Sequence, residues 1–178
     1  MRLFFTGLLA AALAAPIPAA AVPRLAFEQI VDQSPRILHG RVLGSSVGSS
    51  GPFIWTHYRV AVLDGLKGVA SGEITVSEPG GTLNGITQQV SGAGEFHAGD
   101  EVVLFLYQTP IGYWRTTGYW QGKFQVEEDG GVKHVSAELQ ETPVSNPNQR
   151  AARRVLSGFN GMSLDDFKAA IRQQAVRP

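Results

Sequence analysis

No cysteine occurs in the 178 residues, which excludes disulfides, thiol catalysis and thiolate metal sites and leaves packing to supply stability. Neither sign of charge is in excess, since 15 Lys and Arg face 15 Asp and Glu. Binding to nucleic acid or an anionic membrane draws on a clustered positive surface. Only Arg150, Arg153 and Arg154 group locally, so neither partner is expected. The chain also has no Asn-x-Ser/Thr sequon and no internal repeat. The four histidines, His39, His57, His97 and His134, show no i, i+4 pair, and no metal or other cofactor is expected from that spacing.

The single long apolar run lies at the N-terminus. Arg2 is followed by apolar residues from Leu3 to Ala15, then Pro16, Pro18 and the small residues Ala19, Ala20 and Ala21. A membrane-spanning helix needs about 20 apolar residues, so this shorter run ending in prolines reads as a secretory signal over 1–21. Cleavage after Ala21 leaves 178 − 21 = 157 residues with 14 basic and 15 acidic groups and no membrane span. The expected location is outside the cytoplasm, periplasmic or extracellular.

What remains reads as one β-barrel domain over 22–135 with an N-terminal helix, a polar excursion over 136–162, and a C-terminal helix over 163–178. Leu25, Phe27, Ile30 and Val31 recur at helical intervals before Pro35, predicting a short helix. Ile37 to Leu43 reads as a strand and Gly44 to Pro52 as a Gly/Ser-rich mobile loop. Ile54 to Leu66 has period two, with Tyr58, Val60 and Val62 opposite His57, Arg59 and Ala61. Glu73 to Ser77 and, more weakly, Gly85 to Val90 continue the strand series. Val102 to Leu106 is apolar without interruption, the pattern of a strand covered on both faces. Thr142 to Gln149, with two prolines, reads as mobile. Ser163 and Asp166 fit a capping box for the last helix, with Leu164, Phe167, Ala170 and Ile171 on one face. The predicted fold is mainly β with two flanking helices (α+β): a small OB-like, five- to six-stranded, partly open barrel.

The succession Gly40-Arg41-Val42, Thr56 and Tyr58, Leu66-Lys67-Gly68, Gly80-Gly81, then Gly99, Asp100 and Val102 to Leu106, ending in Gln121-Gly122, Phe124 and Val126, resembles an uncharacterised family of bacterial exported proteins. That resemblance implies an exported barrel and no particular activity. More distantly the layout is similar to the netrin-like OB domains, which include the tissue inhibitors of metalloproteinases. Those inhibitors rely on an N-terminal cysteine and on disulfides, which this chain lacks, so only the general idea of a secreted binding barrel carries over.

No constellation singles out an enzyme. Gly44-Ser45-Ser46-Val47-Gly48 matches G-x-S-x-G, but Gly51 and Pro52 follow where the motif needs a helix. His39 and His57 are candidates to approach across adjacent strands, and His97 lies near Glu95 and Asp100 in sequence. Asp100, Glu101, Glu127, Glu128 and Asp129 read as solvated charges at strand edges and in a turn. For binding, a hairpin about Thr116-Thr117-Gly118 pairs Trp114 with Trp120 and Arg115 with Tyr119. It thereby sets Tyr113, Arg115, Tyr119, Gln121 and Lys123 along one outer face, as rings and donors for a glycan, peptide or another exported protein. The expected role is an exported binding module. The alternatives are a protease inhibitor using the 44–52 loop at the barrel edge, or an enzyme using His39, His57 or His97 with a carboxylate.

Overall fold

The computed structural model describes residues 24–69, 71–137 and 158–176. The expected signal segment and the Thr142 to Gln149 stretch fall outside these residues. The chain opens with α1 (Phe27–Asp32). Its Phe27, Ile30 and Val31 are buried, because positions i, i+3 and i+4 share one helical face. The Gln29 side chain accepts from the Ala26 backbone N–H at 2.8 Å and satisfies a first-turn donor.

Two long strands follow, β1 (Arg36–Ser50) and β2 (Phe53–Lys67), paired along their whole length down to a turn at Gly51 and Pro52. After β3 (Gly72–Pro79) come the small hairpin β4 (Gly81–Leu83) and β5 (Ile86–Gln88), then β6 (Glu101–Gln108) and β7 (Trp114–Thr116). The chain ends in β8 (Lys123–Asp129), β9 (Val132–Ala137), β10 (Met162–Ser163) and α2 (Leu164–Ala175).

The barrel is closed, in the order β1-β2-β3-β7-β6 and back to β1. Antiparallel pairs make every seam except β3 to β7, which is parallel and consists of Val76 opposite Trp114. The fold is therefore the small, mainly β, OB-like barrel with two helices, and pairing of Arg36–Arg41 with Glu101–Leu106 shuts the side expected to be open. β8, β9 and β10 extend the sheet outward from β6.

Two cores lie back to back across β6. Val102, Leu104 and Leu106 fill the barrel with Leu38, Tyr58, Val60 and Val76. Val103 and Phe105 face outward and meet α1, α2 and β8 through Ile30, Phe124, Phe167 and Ile171. All five residues from Val102 to Leu106 are 0% exposed, as alternation along a strand with two covered faces requires. α2 is capped as its sequence predicts, with Ser163 Oγ accepting the Asp166 N–H at 3.1 Å and donating to Asp166 Oδ2 at 2.7 Å. Leu164, Phe167 and Ile171 are buried, while Ala170 is half-buried.

Three expectations are corrected. Gly44 to Pro52 is no loop, because Gly44 to Ser50 continue β1 and pair residue by residue with Phe53 to Arg59. The 114–120 hairpin does not form. Gly118 and Tyr119 both adopt left-handed backbone, at φ 66 and 61, and turn the chain into a 3₁₀ turn at Tyr119–Gly122, so that β7 and β8 each pair with β6. Gly122 sits where a Cβ would lie 2.6 Å from the Thr117 carbonyl oxygen and 2.9 Å from that of Phe105, a crossing only glycine fits. Lastly, residues 136–137 belong to β9 and Met162 to β10, which takes both ends of the expected polar excursion into the sheet.

Leu104→Ala empties a fully enclosed barrel position, and a denaturant melt should show a loss of about 2 to 5 kcal/mol. A loss near zero would contradict the two-core arrangement.

Candidate functional site

The residues expected to share an outer face are divided by the structure. Gln121 is 1% exposed and Lys123 8%. The Gln121 side-chain oxygen accepts the Leu25 N–H at 2.9 Å, and its amide donates to the Gly118 carbonyl at 3.0 Å. Lys123 Nζ donates to the Glu95 carbonyl at 2.6 Å and lies 5.0 Å from the Phe96 ring centre. Both are structural pins beneath the surface, because a polar terminus is buried tolerably only with a partner.

The other three do come together, around a residue the sequence reading overlooked. The Arg115 guanidinium lies 5.8 Å from the Trp55 ring centre and 5.2 Å from that of Tyr119, and Tyr113 meets Trp55 edge-on at 5.1 Å. Arg115 is held there by Glu78, at 3.1 Å from its NH2 group and 3.3 Å from Nε. The other Glu78 oxygen accepts from the Thr116 N–H at 2.8 Å and from Thr116 Oγ1 at 2.7 Å. Glu78 is 2% exposed. Burial pushes its carboxyl above the ordinary range, opposed by the Arg115 charge and the Thr116 bonds.

Glu78 also floors a cleft of about 330 Å³ at the barrel mouth. Its walls are the β4–β5 hairpin and the segment 89–97, with Thr56 and Tyr58 reaching in from β2. The Tyr58 ring packs edge-on against Phe96 at 4.8 Å. The hairpin is fixed to the barrel by three bonds: Ile54 N–H to Gln88 Oε1 at 2.7 Å, Gly80 N–H to the Ile54 carbonyl at 2.8 Å, and Thr56 Oγ1 to the Gly80 carbonyl at 2.8 Å. Gln89, Glu95 and His97 line the rim with exposed side chains. No lysine or arginine lines the cleft itself, but Arg115 and Lys123 stand directly behind its lining, on Glu78 and on the Glu95 carbonyl.

A second buried carboxylate lies elsewhere and corrects the expectation of a solvated Glu101. This residue is 9% exposed. Its Oε1 takes His39 Nε2 at 2.8 Å and Lys133 Nζ at 2.7 Å, and its Oε2 takes Arg41 NH2 at 2.8 Å. Burial works against the charge, but the Lys133 and His39 bonds hold the carboxyl below its usual value. Burial lowers the His39 pKa despite the Glu101 bond, so the neutral ring donates from Nε2. Its Nδ1 meets no partner among the described residues.

His39 stands opposite Asp64 and His57 opposite Ser46, so the two histidines do not approach one another. His57 Nδ1 instead meets Ser77 Oγ at 2.8 Å. His97 Nδ1 is 3.8 Å from Asp100 Oδ2, with its side chain in solvent. Ser46, the serine of the G-x-S-x-G match, is an exposed strand residue. No group of three or more His, Asp or Glu is placed to hold a metal among the described residues.

Compared with protein-family profiles, curated proteins and solved structures, the chain has no match.

Two outcomes follow from the buried carboxylates. Arg115→Ala leaves the Glu78 charge buried without its cation, which should destabilise the fold by about 3 to 5 kcal/mol; Glu78→Gln in the same chain should recover part of that loss in chemical denaturation. For His39, a folded pKa below the unfolded one means that the folded state binds fewer protons, so its stability is present above about pH 6.5 and lost as pH falls from there. The depressed Glu101 adds a loss of the same sign at lower pH. The raised Glu78 carboxyl acts with the opposite sign, so the His39 share is read as a difference: the melting-temperature advantage of the native chain over His39→Gln should shrink as pH falls from about 7.5 to about 5.

Proposed function

We propose that this chain is an exported binding module whose ligand seats in the barrel-mouth cleft. The observation that carries the reading is the cleft's construction. A carboxylate bonded on both oxygens forms its floor, three hydrogen bonds fix one wall, and Gln89, Glu95 and His97 present exposed polar side chains at its rim. Pre-formed concavities with a few convergent polar groups are where proteins take small ligands or a partner's side chain. With the Glu78 charge already paired to Arg115 and amide and hydroxyl groups around it, the cleft suits a neutral hydroxyl- or amide-rich molecule, such as a glycan or a peptide segment.

Export is part of the proposal and rests on the N-terminal segment, with its single charge, short apolar run and small residues. The resemblance to bacterial exported proteins agrees with it. A non-enzymatic role fits the histidines: His39 is committed to Glu101, His57 to Ser77, and His97 lies in solvent. The inhibitor alternative relied on a loop at 44–52, a segment that is β-strand up to the Gly51-Pro52 tip.

Affinity capture from an exported fraction tests the cleft, using the native chain beside the Gln89→Ala/Glu95→Ala double variant, whose changes are confined to exposed side chains. A molecule retained by the native chain and lost by the folded variant is the expected result. Equal retention removes the cleft. The mass of the exported chain should place its N-terminus after Ala21, and an intact N-terminus in the recovered protein overturns the export signal.

A further inference from the structure

Among the described residues, the outer half of the β1–β2 hairpin has a backbone edge without a strand partner. β1 pairs with β6 only over Arg36–Arg41, and the Val42 N–H and carbonyl meet the Asp100 carbonyl and the Gly99 N–H. From Gly44 to Ser50 the strand pairs with β2 alone. Which groups point outward follows from the ladder. Ile54 sends both its N–H and its carbonyl to Gln88 and Gly80, so Ser49, opposite it, turns its own backbone groups away from β2. Alternation along a strand then turns those of Val47 and Ser45 the same way, and none of the three has a backbone partner on that side among the described residues.

Exposed edges are ordinarily guarded by lysine, proline, an inward charge or a bulge. Here the register runs unbroken from Gly44 to Ser50, and residues 44–58 contain no Lys, Arg, Asp or Glu. The outward residues Ser45, Val47 and Ser49 also read the same from either end. We infer that this edge is a self-association site, at which a second copy of the chain pairs Gly44–Ser50 antiparallel to itself about a two-fold axis at Val47.

An antiparallel pairing of a strand with its own copy is isologous, so the same patch serves both protomers. Val47 meets the partner copy's Val47, and Ser45 meets its Ser49. The three outward residues of each copy exchange roughly six N–H···O bonds. Valine against valine and serine against serine are favourable cross-strand neighbours, and the lack of charge removes the like-sign repulsion a two-fold otherwise imposes. The two three-strand meanders β3-β2-β1 become one continuous six-stranded sheet.

Light scattering across a concentration series should give twice the chain mass at high concentration. Val47→Pro removes an outward N–H, and with it a side chain that neighbours Gly81; it should return the mass to that of one chain, with circular dichroism retained. The lack of native cysteine allows a second reading. Val47→Cys with a short bifunctional maleimide should yield cross-linked dimer, and Val132→Cys on the far β8–β9 hairpin, which is more exposed at 50% against 37%, should not. A single-chain mass at every concentration overturns the inference, as does a dimer that survives Val47→Pro. If Val47→Pro fails to fold, absence of the Val47→Cys cross-link overturns it. Capture of a foreign extended peptide by a chain that stays monomeric does so too.

Discussion

Everything in this fold leans on β6. A strand that is 0% exposed from Val102 to Leu106 serves as the inner wall of a barrel and the outer floor of a helix-covered core at the same time. Its odd and even side chains belong to different cores, so a one-residue slip would exchange both sets at once. That shared wall explains why a chain without disulfides holds two small cores together. Each is modest alone, and neither can loosen without exposing the back of the other.

Against this apolar frame, a handful of buried polar groups set the geometry at the ends of the barrel. Glu78 stands at the end of β3 and reaches Thr116 and Arg115 on β7, reinforcing a parallel seam that has one paired position of its own. Glu101, at the start of β6, gathers cations from β1 and β9. Nearer the surface, Lys168 and Arg172 of α2 both reach the half-buried Asp64 on β2, at 3.1 and 2.8 Å. The buried Glu78 and Glu101 charges add little net stability compared with apolar replacements, but they are costly to mispair. They therefore select one arrangement of strands among several that the apolar pattern alone would allow. The cleft inherits its shape from the Glu78 pair.

Local pattern revealed the strands and helices with clear periodicity and concealed those whose reasons are distant. β6 was readable because no polar residue interrupts it, and α2 because Ser163, Asp166 and three apolar positions agree with one another. Gly44 to Ser50 carries the composition of a loop, because a strand standing out from the barrel needs no apolar face; only its partner β2 makes it a strand. Gln121 and Lys123 look like surface residues by type, and their burial depends on acceptors at Gly118 and Glu95 that no local window shows. The tryptophans misled in a similar way: Trp114 and Trp120 suggested a hairpin, whereas Trp55, on another strand, stacks with Arg115. For the candidate site, Tyr113, Arg115 and Tyr119 were found as a group without the carboxylate that holds them, since Glu78 reads as an ordinary strand-end charge.

The closing seam bears on how the molecule comes into being. β1, β2 and β3 are consecutive hairpins, able to pair as soon as they leave the ribosome. Yet the faces they present to the barrel stay wet until β6 arrives to meet β1 at Arg36 opposite Leu106, and β7 to meet β3 at Trp114. The outer face of β6 waits longer still, for Phe167 and Ile171 at the far end of the chain. The barrel can therefore close once β7 is in place at Trp114–Thr116, whereas the core on its outer side is completed only by α2.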